Sequence, residues 1–248
     1  KPYLIYINIP KKYNRFSECP EIPSFLKFNK KVRINYIDTD YGPATKFIGS
    51  LLNENINSND IIVITDDDTI KERHWLSGLL IYYKYNNIIA YEEKNLGKEV
   101  VWGYLGFAFR KGIFDLKDMF SFYANVKDKC ILVDDHWLTA YCHYKKIKIH
   151  TVSISKSEFI NSGSISGSES LVKLKGSDSR WHISEYCRKH IKNKYDVDFP
   201  FWCCMGCCKR GKRKLLLENF TNKYSKTKKY SFLVLILIAI ILMYCNII

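Results

Sequence analysis

The chain has 248 residues, 47% of them hydrophobic, and a formal net charge of +14. That apolar content is enough for a real core and excludes an intrinsically disordered chain. The charge does not require nucleic acid as a partner, because nine Lys or Arg and one acid, Glu218, fall between Lys209 and Lys229 and supply +8 of it.

Tyr3 to Ile9 has an apolar strand pattern closed by Pro10, and Lys11 to Cys19 follows as a basic, aromatic loop. Val32 to Ile37 alternates as a second strand and delivers Asp38 and Asp40 to the loop Tyr41-Gly42-Pro43. From Ala44 to Leu52 apolar residues recur at helical spacing, with Pro43 suited to a first helical position. Ile61-Ile62-Val63-Ile64 is β-branched throughout and reads as a strand buried on both faces, so Asp66, Asp67 and Asp68 emerge at its carboxyl end. Ligand sites of open α/β sheets lie there. Oxygen ligands packed together suit a hard divalent ion, Mg²⁺ or Mn²⁺; the competing reading makes Asp66 to Thr69 a turn that caps a helix starting near Glu72.

Further along, the pattern predicts a helix near Trp75 to Tyr85, a short strand Ile88 to Tyr91, a strand-like run Val100 to Phe109 and a helix near Asp115 to Asn125. Cys130 to Val133 reads as another short strand, ending in Asp134-Asp135-His136-Trp137 at the start of a helix to about Tyr144. Trp137 falls on that helix's apolar face and reads as core, while Asp134 is open to a capping role. Lys148 to Ile154 is a closing strand, Ser155 to Ser170 a Ser/Gly-rich loop, and Ser177 to Tyr195 a polar helix capped by Ser177 with Arg180, Trp181 and His182 near its start. Strands alternating with helices imply a three-layer α/β domain with a mainly parallel sheet over residues 1–200.

Residues 201–229 form a cysteine-rich, basic segment, and 230–248 an apolar one. Phe232 to Ile248 reaches roughly 25 Å as a helix, close to a ~30 Å hydrocarbon core, and reads as a single carboxyl-terminal anchor. Its basic flank places the main domain on the cytosolic side against anionic lipid, and the polar opening at Lys1 gives no signal peptide. Cys203, Cys204, Cys207 and Cys208 beside that flank suit palmitoylation, with incidental thiols or zinc as the other readings. Cys19, Cys130, Cys142 and Cys187 read as reduced thiols of a cytosolic protein.

Two acidic clusters suggest a division of labour in which one binds metal and diphosphate and the other supplies a base. In their order, Asp40-Tyr41-Gly42-Pro43-Ala44-Thr45-Lys46, Asp66-Asp67-Asp68, Trp102-Gly103-Tyr104 and Asp134-Asp135-His136-Trp137-Leu138 resemble the motifs of GT-A-fold, family-2-like glycosyltransferases, including those of giant DNA viruses. The resemblance covers roughly Lys1 to Tyr144. It implies a Rossmann-like GT-A domain that uses Mn²⁺ or Mg²⁺ to move sugar from a nucleotide-diphosphate sugar to a glycan or other hydroxyl acceptor, by inversion. On that likeness Asp68 and Asp66 are metal ligands, Asp40, Lys46, Asp66 and Asp67 line the donor pocket, and Trp102, Gly103 and Tyr104 lie below the acceptor. Asp135 is the general base, with Asp134 the alternative, and His182 a further candidate metal ligand. The family also has a strand and helix ahead of the segment resembling Tyr3 to Ile9, which makes this chain a fragment or a truncated form. Two other functions stay open: a membrane-tethered, non-catalytic decayed transferase, and a nucleotidyl or phosphoryl transferase, for which the chain lacks a Gly-rich phosphate loop.

Overall fold

Runs of Ile and Val make the strands, and their parity decides which helices they meet. The computed structural model describes residues 3–14, 21–67, 70–84, 87–93, 99–154, 159–160 and 179–197. Strand β1 (Ile5–Pro10) pairs in parallel with β2 (Val32–Ile37), after the short helix α1 (Ser24–Lys27). A 3-10 turn at Gly42–Ala44 leads into α2 (Thr45–Leu52), and β3 (Ile61–Ile64) follows. Then come β4 (Ile70–Lys71), α3 (Trp75–Ile81), β5 (Ile88–Glu93), β6 (Phe107–Arg110), α4 (Leu116–Cys130), α5 (Asp134–Tyr144), β7 (Ile149–Ile154), β8 (Phe159–Ile160) and α6 (Arg180–Tyr195).

The main sheet has the order β3-β6-β5-β7. Ile62, Ile64, Phe107, Phe109, Ile88 and Ala90 point from it into one core shared with α2, α4, α5 and α6. Their neighbours Ile89, Tyr91 and Ala108 point to the opposite face, where Trp75 and Leu79 of α3 cover them. A sheet between two helical layers results, and each fully buried Ile or Phe stabilises it by about 1.5–3 kcal/mol.

The mainly parallel sheet of the sequence reading is corrected to a mixed one. β5 and β7 are parallel, but β6 runs antiparallel to both β3 and β5. Only residues 94–106 join β5 to β6, and their described part is a turn closed by Gly106 N–H donating to Trp102 O at 2.9 Å, with no crossover helix.

The expected strand Cys130 to Val133 is instead the end of α4 and a turn. Met119, Phe122, Tyr123, Val126 and Cys130 form one helical stripe facing the core, so the apolar run continues a helix. Two capping expectations also change. The acidic triplet leads into β4, and α3 begins at Trp75 with His74 at its cap, so neither Asp66 nor Asp67 caps it. The α6 cap is Ser179 rather than Ser177, its hydroxyl accepting from His182 N–H.

Cys130 and Cys187 are joined in a disulfide between α4 and α6, which corrects their reading as reduced thiols; Cys142 is free and buried. Among the described residues no helix is long and apolar enough to cross a membrane. The predicted anchor, the cysteine-rich basic segment and Asp68 lie outside the described residues.

Candidate functional site

The loop after β3, the amino end of α2, the turn at 101–104 and the first turn of α5 meet at one lysine. Lys46 Nζ lies 2.8 Å from Asp66 Oδ1 and 2.8 Å from Asp134 Oδ2. Asp135, beside Asp134, accepts from Gly103 N–H at 2.9 Å, and Gly103 O in turn accepts from Asp66 N–H at 3.2 Å. Thr139, one turn along α5, donates to Asp135 O at 2.6 Å and accepts from Val101 N–H at 3.1 Å. The turn is thereby stitched to α5 on one side and to the end of β3 on the other.

Gly103 packs directly against this cluster. A Cβ there would stand 2.4 Å from Lys46 Nζ and 2.8 Å from Asp66 Oδ1, so a larger residue would have to displace the ends of both side chains.

Burial sets the charges. Asp134 and Asp135 are 4% and 5% exposed. Desolvation works against the charge of Lys46, but the carboxylates of Asp134, Asp135 and Asp66 outweigh it and hold the ammonium protonated, with its pKa raised. For Asp135 the balance runs the other way: burial, then the neighbouring charge of Asp134, push its pKa up to about 7, against the pull of Lys46 and Arg180. Burial and then Arg180 lower the pKa of His136 to about 3, so its imidazole is neutral at pH 7. In the first turn of α5 both aspartates also face the favourable end of the helix dipole; neither is the cap, which is Val133.

Lys46, Asp66 and Asp67 line a cavity of about 1300 Å³ that runs between β1 and β3. The lysine side chain is 21% exposed, so a ligand in the cavity can reach it. Lys71 lies on the same wall, donating to Tyr104 O, with its ammonium 5.3 Å from the Trp75 ring centroid.

Of the predicted residues, Lys46, Asp66, Gly103, Asp134 and Asp135 are brought together. Asp40 is not: its two carboxylate oxygens accept from Gly42 N–H at 2.7 Å and Asn14 N–H at 2.8 Å, bracing its own loop. Trp102 is buried in the core under α3, its ring 6.2 Å from that of half-buried Tyr104. Trp137 is core, fully buried, as expected. His182 is exposed and pairs with Ser179 at 2.7 Å. The sequence reading missed Arg180, whose guanidinium reaches Asp135 at 3.7 Å from the start of α6. A basic residue just after a capping serine was visible, but nothing in the spacing links it to an aspartate 45 positions earlier.

Asp66 and Asp67 offer the oxygen donors hard cations take, and Mg²⁺ is commonly held by one or two carboxylates completed by water and substrate phosphate. Among the described residues no group of three or more His, Cys, Asp or Glu converges as a metal site. No protein-family model, curated protein or solved structure matches this chain.

Proposed function

We propose that the domain is a glycosyltransferase acting on a nucleotide-diphosphate sugar. One observation carries the reading: a partly accessible lysine at a large cavity, bonded to one acid on the cavity wall and backed by a buried acid whose pKa is pushed up to about 7. A cation at the wall suits a diphosphate, and a carboxyl poised near neutral pH suits a base that takes a proton from an alcohol. In the reaction the acceptor oxygen bonds to the anomeric carbon while the bond from that carbon to the phosphate oxygen breaks. The electron pair leaves with the nucleoside diphosphate, and the acceptor proton passes to Asp135. Lys46 meets the growing charge on the leaving phosphates. Gly103 keeps the backbone thin between Lys46 and Asp135. A divalent ion, with Asp68 and Asp66 as its carboxylates, would add further charge neutralisation at the diphosphate. The membrane anchor at 230–248 belongs to the same proposal.

A second reading is favoured by the depth of the acidic pair. Asp134 and Asp135 are almost fully buried and already balanced by Lys46 and Arg180, as in a structural ion-pair cluster that holds a non-catalytic module together. Calorimetric titration of the full chain with a panel of nucleotide sugars, with and without Mn²⁺, separates the two. Binding that Mn²⁺ strengthens and Lys46→Met removes supports the transferase; no binding by a folded chain supports the second reading. Release of pyrophosphate or inorganic phosphate instead of nucleoside diphosphate would move the chemistry to nucleotidyl or phosphoryl transfer.

A further inference from the structure

Apolar residues of a surface helix normally turn inward, yet at α1 the two largest turn outward. Ile22, just before the helix, is buried and Leu26 is half-buried, so one side of this corner packs against the domain. Phe25 and Phe28, on the other side, are 71% and 83% exposed. Spaced three residues apart, their rings share one face of the turn. The corner is ordered by its own backbone: Phe28 N–H donates to Ser24 O at 3.1 Å and Val32 N–H to Asn29 O at 2.9 Å, and α1 packs beside β2. Two aromatic rings are thereby held out into solvent.

Cations collect around them. Lys27, Lys30, Lys31 and Arg33 are all exposed, and Glu21 is the only acid from 21 to 33, so this stretch carries a net +3. Arg33 is turned back, its guanidinium donating to Lys30 O at 2.8 Å and to Val32 O at 2.9 Å. The outward charges are thus mainly those of lysines, point charges that suit a diffuse anionic surface better than planar, bidentate capture of one phosphate or carboxylate. Phe has no polar group with which to bond a partner. A ring that stands clear of the surface needs a matching pocket on a protein but none on a bilayer, where it enters the boundary between headgroups and acyl chains.

We propose that α1 and the turn after it form a membrane-contact surface of the folded domain, with Phe25 and Phe28 inserted and Lys27, Lys30 and Lys31 against anionic lipid headgroups. This surface is separate in sequence from the apolar segment at 230–248 and its basic flank. Full burial of one Phe corresponds to about a 10- to 100-fold gain in partition, and one lysine near an anionic leaflet to about 5-fold. Neither kind of residue suffices alone: the rings lie too few for a neutral bilayer to hold them, and the lysines attract only where anionic lipid is present. The inference rests on this surface and is independent of the proposed chemistry.

Photolabelling from the lipid side tests it. The full chain is mixed with vesicles of phosphatidylcholine, alone or with about one-third phosphatidylserine, that carry a phospholipid with a diazirine in its acyl chain, and labelled residues are mapped by mass spectrometry. The readout is local to α1, so a hold of residues 230–248 on the bilayer does not substitute for it. Labelling across 24–31 is expected with phosphatidylserine and should be at least about 10-fold weaker in the neutral vesicles. Per vesicle-bound chain it should fall as far in Phe25→Ser with Phe28→Ser, and in Lys27→Glu with Lys30→Glu. All four positions are exposed, so both variants should keep the wild-type circular dichroism spectrum. Ile81 and Tyr82, 77% and 57% exposed at the end of α3, give the level of unspecific labelling. Labelling at α1 no stronger than at those two, labelling unchanged by reversal of the lysines, or a vesicle-free dimer that the Phe25→Ser, Phe28→Ser variant abolishes would overturn the inference.

Discussion

Asp134-Asp135 and Asp66-Asp67 look alike as acidic pairs, yet they occupy opposite sides of Lys46. The first begins a helix inside the core, 4% and 5% exposed, and the second sits where β3 ends at the cavity wall. One lysine joins them, bonded at 2.8 Å to an acid from each. Two acidic pairs of the same residue type thus differ in burial, and only the buried one lies in the core. In the core, desolvation and then the neighbouring charge of Asp134 lift Asp135 to about 7.

Five changes probe this contrast. Lys46→Met should have the largest effect, about 3–5 kcal/mol of unfolding free energy by chemical denaturation, because Asp134 is then buried without its counter-charge. Asp67→Asn, exposed at the other pair, should cost within about 0.5 kcal/mol while weakening Mn²⁺-dependent ligand binding. If the two variants are equally stable, the contrast fails.

The core side is also fastened by the disulfide, which joins cysteines 57 positions apart and ties the helix carrying Arg180 to the corner before Asp134. Cys130→Ser with Cys187→Ser should lower stability by about 2–4 kcal/mol under oxidising conditions and by nothing once the wild type is reduced. Mass analysis of the intact chain with and without reductant identifies the bond directly.

Gly103→Ala should cost about 1–3 kcal/mol by crowding the lysine, and should weaken nucleotide-sugar binding more than the surface variant Lys189→Ala does.

The smallest effect concerns pH. Asp135 titrates near 3.8 when unfolded and near 7 when folded. Its contribution to stability is therefore full below 3.8 and is lost as pH rises through about 7, whereas activity that needs it ionised rises over that same range. Arg180→Gln removes a charge that opposes the upward shift, so the acidic limb of the rate profile should move to higher pH, by less than burial itself moved it. A limb that stays in place would remove Arg180 from the site.

Much of the scaffold could be read from residue pattern. Val32–Ile37 and Ile61–Ile64 have the bounds that alternation in the first and an unbroken β-branched run in the second predict, although Ile61 is exposed and Val63 half-buried where burial on both faces is expected; Lys46, Asp66, Gly103, Asp134 and Asp135 do meet. Strand direction could not be read, because periodicity is the same in either sense; β6 turned out antiparallel. Cys130 to Val133 failed for a related reason, since four apolar residues at the end of a helical stripe look like a short buried strand. That Asp40 stands apart from this cluster could not be read, because a loop aspartate that braces two backbone N–H groups has the same sequence signature as one that meets a ligand. Arg180 and the Cys130–Cys187 bond lay beyond sequence logic, because both depend on where α6 packs.

The proposed transfer chemistry stands or falls with Asp135 as its base. Release of nucleoside diphosphate from a panel of nucleotide sugars, measured with Mn²⁺ at pH 8 for the full-length wild type and its Asp135→Asn variant, tests it most directly. Release in the wild type should depend on an acceptor and fall by at least about 100-fold in the variant, with the fold unchanged by circular dichroism. Acceptor-dependent release of equal rate in both proteins, or none from a folded wild type with any donor, would contradict it.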